Sequence, residues 1–222
     1  MILGNHLAQR IITGSILLIV FCLSFFYLPP FYLSAALMII LFYILIFEWP
    51  KLIDIQQHTA IVATLFYPIL PFILLIDLNQ SALYHVLFFY LITFVAIHDT
   101  ASYVTGKIIG KHLIAPAISP KKTWEGFAGG YCCTLIMVLI LQQLQYIKQI
   151  HWIIVCITVL VFCSVALLGD LFESYLKRTA HIKDSGNLLP GHGGFLDRFD
   201  AILFVVYLCY PLKSWIIKFI GK

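Results

Sequence analysis

The chain has 222 residues, 62% hydrophobic and 11% charged, with 14 Lys and Arg against 10 Asp and Glu. A soluble domain carries about 25% charged residues, so this composition excludes a water-soluble globular protein and puts the chain in a bilayer. The formal charge of +4 matters through its placement, and no nucleic-acid partner is expected.

Seven stretches almost free of Asp, Glu, Lys and Arg follow one another: residues 11–28, 31–47, 60–76, 82–97, 126–144, 152–168 and 201–212. Most approach the ~20 apolar residues that cross ~30 Å of hydrocarbon. Backbone in lipid must satisfy its own hydrogen bonds, so each is expected to be a helix. The fold class expected is therefore all-α and polytopic, with about seven transmembrane helices. The opening MILGNHLAQR and its apolar run are read as a retained first span, because no small-residue cleavage site follows.

Residues 1–97 are expected to be scaffold and lipid contact. There Glu48 and Asp54 flank Trp49-Pro50 at a helix end and read as a solvated loop. Residues 98–222 carry the polar chemistry, the two halves forming one compact membrane domain. The seventh stretch is the shortest, and the terminal KSWIIKFIGK has the pattern of a short helix lying in the headgroup layer. The six cysteines lie in apolar stretches without CxxC spacing and read as small buried hydrophobes, neither zinc ligands nor disulfide partners. With the N-terminus inside, 10 of the 14 Lys and Arg fall on the cytoplasmic side, which sets the orientation.

Two long polar loops are expected on that side, residues 98–126 and 169–200. Nine of the chain's 24 charged residues lie from Asp170 to Asp200. An acid at mid-bilayer costs about 2.5–3.5 kcal/mol on insertion scales, so these groups must face water or a polar cavity. Asp170, Glu173, Ser174 and Lys177 recur at helical spacing and predict a polar stripe on a helix running on from the sixth span. In LPGHGGFLDRFDA, Pro190 and the glycines predict a tight loop, with Asp197 and Asp200 in the first turns of the last helix. Amides at Gly193 and Gly194 before that helix are expected to bind an anion such as phosphate. Carboxylates beside a phosphate call for a cation, and oxygen ligands with phosphate suit Mg²⁺. His192 between glycines is a candidate substrate contact. Lys121 and Lys122 in SPKKTWEG are candidate phosphate partners, and Asp99 is a candidate either to cap a helix or to bind a polar substrate group. This inventory favours phosphoryl or nucleotidyl transfer on a lipid.

The stretch from Ser174 to Asp200, SYLKRTAHIKDSGNLLPGHGGFLDRFD, resembles the signature of the phosphatidate cytidylyltransferases, or CDP-diacylglycerol synthases. Ser174, Leu176, Lys177, Arg178, Lys183, Asp184, Gly186, Leu189, Pro190, His192, Gly193, Gly194, Asp197, Arg198 and Asp200 all fit it. GDLFES and SPKKTWEG also resemble family segments. The resemblance implies a nucleotidyltransferase of the bacterial-type cytoplasmic membrane, its site facing the cytoplasm. It would join CTP and phosphatidic acid into CDP-diacylglycerol and pyrophosphate with Mg²⁺.

It further implies that Asp170 and Asp197 hold metal, that Asp200 assists, and that Ser174 and Lys177 lie close by. Lys121, Lys122, Arg178, His192, Lys183, Asp184, Gly193, Gly194 and Asp99 become substrate contacts, and a homodimer is compatible with it. One departure stands out: Asp99-Thr100-Ala101-Ser102-Tyr103 replaces the family's Asp-Thr-Gly-Ala-Tyr. The rival readings are a CTP-dependent lipid kinase and a lipid transporter. A transporter would keep polar residues near the bilayer midplane, whereas here they cluster at one face.

Overall fold

A computed structural model describes the backbone of residues 2–53, 58–188 and 193–220, with side chains described from Thr13 onward and omitted at residues 58 and 59. Leu189, Pro190 and His192 of the signature, and Asp54, lie outside the described residues. Eight helices organise the described chain: α1 Ile2–Tyr27, α2 Pro30–Tyr43, α3 His58–Thr64, α4 Leu70–Gln80, α5 His85–Ile109, α6 Trp124–Gln143, α7 Trp152–Thr179 and α8 Leu196–Ile216. Short π-helical turns at Ile44–Glu48 and Leu65–Ile69 extend α2 and join α3 to α4. Six helical segments among the described residues are long and apolar enough to cross a membrane: Pro30–Lys51, Ala60–Gln80, His85–Ile109, Trp124–Gln143, Trp152–Thr179 and Leu196–Phe219. The described apolar part of α1, Thr13–Tyr27, is shorter. The protein is an all-α polytopic membrane protein.

Proline and glycine set the boundaries. Pro29 is extended (φ −54°, ψ 144°) and Pro30 opens α2, where its missing N–H costs nothing. Pro68 sits in the π turn before α4. Helix α5 stops at Gly110, whose N–H donates to Gly106 O at 3.0 Å. The fourth span therefore does not end near residue 97, since nothing breaks the helix before Gly106. Asp99 stands on a helix, and the expected loop shrinks to a hairpin of β1 Leu113–Ala115 with β2 Ser119–Thr123. Thr123 Oγ1 then caps α6 by accepting from Gly126 N at 3.1 Å.

The last span is also longer than its hydropathy suggested. Helix α8 begins at Leu196, with Asp197 in its first turn, where the helix dipole favours an acid. It continues past Pro211 to Ile216 and a 3₁₀ turn at Ile217–Phe219. The terminal segment thus continues α8 and is not a separate interfacial helix. Phe219 O accepts from Lys148 N at 2.7 Å.

Two compact units are distinguished: Met1–His85 with Leu176–Asp200, and Val86–Tyr175 with Ala201–Lys222. The first unit buries Leu41, Ile44, Trp49, Phe72, Leu75 and Leu78. Two of its polar side chains in apolar surroundings find hydrogen-bond partners across the chain. Trp49 Nε1 donates to Thr64 Oγ1 at 2.7 Å, and Asn79 Nδ2 donates to Pro30 O and Ser34 Oγ, both at 2.8 Å. The second unit packs Val155, Val159 and Cys163 against Phe94, Phe127 and Tyr131. Small residues let α5 and α6 approach closely. A Cβ on Gly126 would lie 2.7 Å from Ser102 O, and one on Gly130 2.0 Å from Ser102 Oγ. All six cysteines are free. Cys163 and Cys209 are buried as expected, but Cys132 and Cys133 are exposed.

Candidate active site

In the first unit, the start of α8 organises a buried carboxylate cluster. Asp197 Oδ2 accepts from Gly194 N at 2.8 Å, Ser185 N at 2.9 Å and Ser185 Oγ at 2.9 Å. Its Oδ1 accepts from Lys177 Nζ at 2.6 Å. The two side chains are only 12% and 5% exposed, so this ion pair is largely out of water.

Beside it lies Glu48, fully buried. Glu48 Oε1 accepts from Phe195 N at 2.9 Å, and Oε2 accepts from Leu196 N at 2.8 Å. Ser185 Oγ stands 3.3 Å from Glu48 Oε2. Its single proton serves one carboxylate at a time, and Asp197 is the nearer. Of the two amides expected to hold phosphate, that of Gly194 thus already donates to a carboxylate. Three consecutive N–H groups, Gly194 to Leu196, are divided between Asp197 and Glu48. The physics of a helix N-terminus binding negative charge holds, but the charge comes from the protein's own acids.

Glycine is required here by geometry. Gly193 has φ +81°, a left-handed conformation that L side chains rarely adopt. A Cβ on Gly194 would stand 2.3 Å from Ser185 Oγ and 2.5 Å from Glu48 Oε1. Gly194→Ala is therefore expected to destabilise the protein by about 1–3 kcal/mol, the usual range for overpacking. The check is the thermal unfolding midpoint in detergent, which should fall below wild type.

The second unit holds a cavity of about 220 Å³, lined by Asp99 and Ser102 of α5, Ser119, Lys121 and Lys122 of β2, and Asp170 of α7. Side chains alternate faces along a strand. Lys121 is accordingly exposed, while Lys122 turns inward and its Nζ forms an ion pair with Asp170 Oδ2. Beside the hairpin, Glu125 accepts from the N–H groups of Lys111 and His112 at 3.1 and 3.2 Å and pairs with His112 Nδ1 at 2.5 Å. These bonds pin the base of the hairpin that carries the lysines.

The sequence-predicted residues fall in both units. Asp197, Lys177, Gly193 and Gly194 meet in the first unit's cluster. Asp99, Lys121, Lys122 and Asp170 line the second unit's cavity. Ser174 is half-buried on α7, and Asp200 is buried near the start of α8. Arg178, Lys183 and Asp184 are exposed, and Arg178 Nη1 reaches Ile182 O at 3.5 Å. His192 lies outside the described residues. Glu48 and Ser185 were missed. Ser185 had no signal beyond its place inside the signature. Glu48 had one: it is the acid that interrupts an apolar span, where an unpaired charge is costly.

Among the described residues no group of three or more His, Cys, Asp or Glu is arranged to hold a metal. Mg²⁺ needs fewer, since it keeps water and phosphate ligands beside one or two carboxylates. The donor chemistry of Asp197 fits such a ligand. Three hydrogen bonds fix Oδ2 and leave Oδ1 presented to a positive charge, here Lys177. Outer hydrogen bonds of this kind orient a ligating carboxylate. Asp170 likewise presents an oxygen to an ammonium, that of Lys122.

These features define a helical membrane protein in which a buried acid, Asp197, and a half-buried one, Asp170, each pair with a lysine, the second pair lining a polar cavity. Residues 50–215 match the cytidylyltransferase family, and the chain belongs to it. Proteins named phosphatidate cytidylyltransferase are similar to it. That of Staphylococcus saprophyticus is 42% identical over 137 residues, 62% of this chain and 52% of the relative. That of Staphylococcus epidermidis is 42% identical over 132 residues, 60% and 50% of the two chains. The Staphylococcus aureus protein is 42% identical over 137 residues, 62% and 52%. The chain spans about half the length of the curated relatives it matches.

Proposed function

We propose that the protein transfers the cytidylyl group of CTP to phosphatidate, forming CDP-diacylglycerol and pyrophosphate at the cytoplasmic face of the membrane. The observation that carries this reading is that both lysine–aspartate pairs, Lys122–Asp170 and Lys177–Asp197, fall within the residues matched to the cytidylyltransferase family. An oxygen of the phosphatidate phosphate attacks the α-phosphorus of CTP. The bond from that phosphorus to the α,β-bridging oxygen breaks, and pyrophosphate leaves with its electrons. The lipid phosphate is the nucleophile, so no protein nucleophile is needed.

What the protein must supply is positive charge, because a triphosphate and a phosphomonoester repel each other. Lys122 supplies it by exchanging Asp170 for a phosphate oxygen, with Lys121 at the exposed side of the cavity. Asp170 and Asp197 are the carboxylates offered to Mg²⁺, and Asp99 meets a polar substrate group. Bound Mg²⁺ would neutralise phosphate charge and stabilise the charge that develops on the leaving group.

The test uses the purified full chain in detergent with phosphatidate, Mg²⁺ and CTP labelled at either the α- or the γ-phosphate. Label from the α-position is expected in the lipid, with γ-label released as pyrophosphate. Lipid that gains only γ-label would identify a lipid kinase and overturn the proposal.

A further inference from the structure

We infer that Glu48 is a positioning residue that keeps Asp197 free to hold a divalent cation, an inference that rests on the proposed role of Asp197 as a cation ligand. Glu48 lies outside the residues matched to the family, and it is 147 and 148 positions from the amides it binds. It is delivered by the π-helical turn Ile44–Glu48, a local irregularity common at functional sites. Its place is shaped for a carboxylate. A Cβ on Gly186 would lie 2.7 Å from Glu48 Oε1, and one on Gly194 2.5 Å from it.

The argument turns on competition for acceptors. The N–H groups of Gly194, Phe195 and Leu196 all sit at the start of α8, within three residues of Asp197. An acid in the first turn of a helix can accept from that helix's own free amides, as Asp197 does from Gly194. Glu48 takes the Phe195 and Leu196 amides, so Asp197 commits only Oδ2 to the cap. Oδ1 is left facing the ammonium of Lys177, the place a metal cation can contest. Without Glu48, the Phe195 and Leu196 amides would lose their acceptor, and Asp197 is the carboxylate that already caps the same helix start.

The experiment measures Mn²⁺ binding by electron paramagnetic resonance, using the full chain in detergent without CTP, for wild type and Glu48→Gln. Gln keeps the size but turns an N–H₂ toward one of the two amides. The Mn²⁺ concentration for half-saturation should rise at least ~10-fold, the lower end of what lost outer-shell partners cause. At saturating Mn²⁺ the KM for CTP should stay within about twofold, since uniform substrate binding is untouched. A folded, monodisperse Glu48→Gln protein with wild-type Mn²⁺ binding overturns the inference. If that variant is not recovered monodisperse, Glu48→Asp carries the test: it keeps the charge but withdraws the acceptors by one methylene. Weakened Mn²⁺ binding with retained CTP KM supports the role, and wild-type binding overturns it. A wild-type protein that transfers α-label yet binds no Mn²⁺ overturns the inference and leaves the reaction standing. One that does neither overturns both.

Discussion

Asp197→Asn is expected to lower CTP α-label incorporation by at least ~100-fold while the chain still inserts in the membrane. Asparagine has the same shape but cannot satisfy this site. If its oxygen stays among Gly194 N, Ser185 N and Ser185 Oγ, its N–H₂ points at the Lys177 ammonium. If it flips, its N–H₂ points at three donors. Either way a donor meets a donor, and Lys177, 12% exposed, keeps its charge without its carboxylate.

Breaking a buried ion pair from one side typically costs about 3–5 kcal/mol. At ~1.36 kcal/mol per tenfold in rate, even part of that penalty felt in the transition state gives the factor stated. The measurement pairs label incorporation with the amount of chain in the membrane fraction. Retention of more than about a tenth of wild-type activity would remove Asp197 from the machinery, because a ligand or electrostatic role is worth at least tenfold.

How far the sequence could be read depended on whether each signal was local. The spans were legible because lipid imposes one requirement on every residue of a helix. The tight loop before α8 was legible too, since Gly193 and Gly194 sit where a left-handed turn and a close approach demand glycine. Asp197 and Lys177 were found by their place in a dense polar stretch. Glu48 was not. An acid next to Trp-Pro at a helix end looks like a solvated boundary, and only the folded chain brings Phe195 and Leu196 to it. The fourth span was cut short at residue 97 because hydropathy falls at His98-Asp99. Hydropathy reports the surroundings of a side chain, whereas the helix continues until a backbone breaker, Gly110. The hairpin was missed for a related reason. A polar Lys-Lys pair in an unstructured loop has no inside or outside, and the distinction between Lys121 and Lys122 exists only once a strand gives them opposite faces.

That distinction yields the other large expected effect. Lys122→Ala should lower kcat/KM for CTP by about 10- to 100-fold, the scale of a charge-assisted phosphate contact of about 1.5–3 kcal/mol. Lys121→Ala should change it by less than about threefold, because an exposed charge is screened by solvent and salt. The same Lys122 substitution should move divalent-cation binding in the opposite direction. Lys122 holds Asp170 in an ion pair inside the cavity, so it competes with any cation for that carboxylate. Removing the ammonium leaves a partly buried carboxylate, 29% exposed, with unmet charge, and the half-saturating Mn²⁺ concentration should fall. A lysine that only stabilised the fold would not separate the two readouts, since misfolding weakens substrate and cation binding together. Titrating Mn²⁺ and CTP independently on Lys122→Ala measures both. Unchanged CTP dependence would exclude Lys122 from phosphate binding, and weaker Mn²⁺ binding would exclude Asp170 as the group it shields.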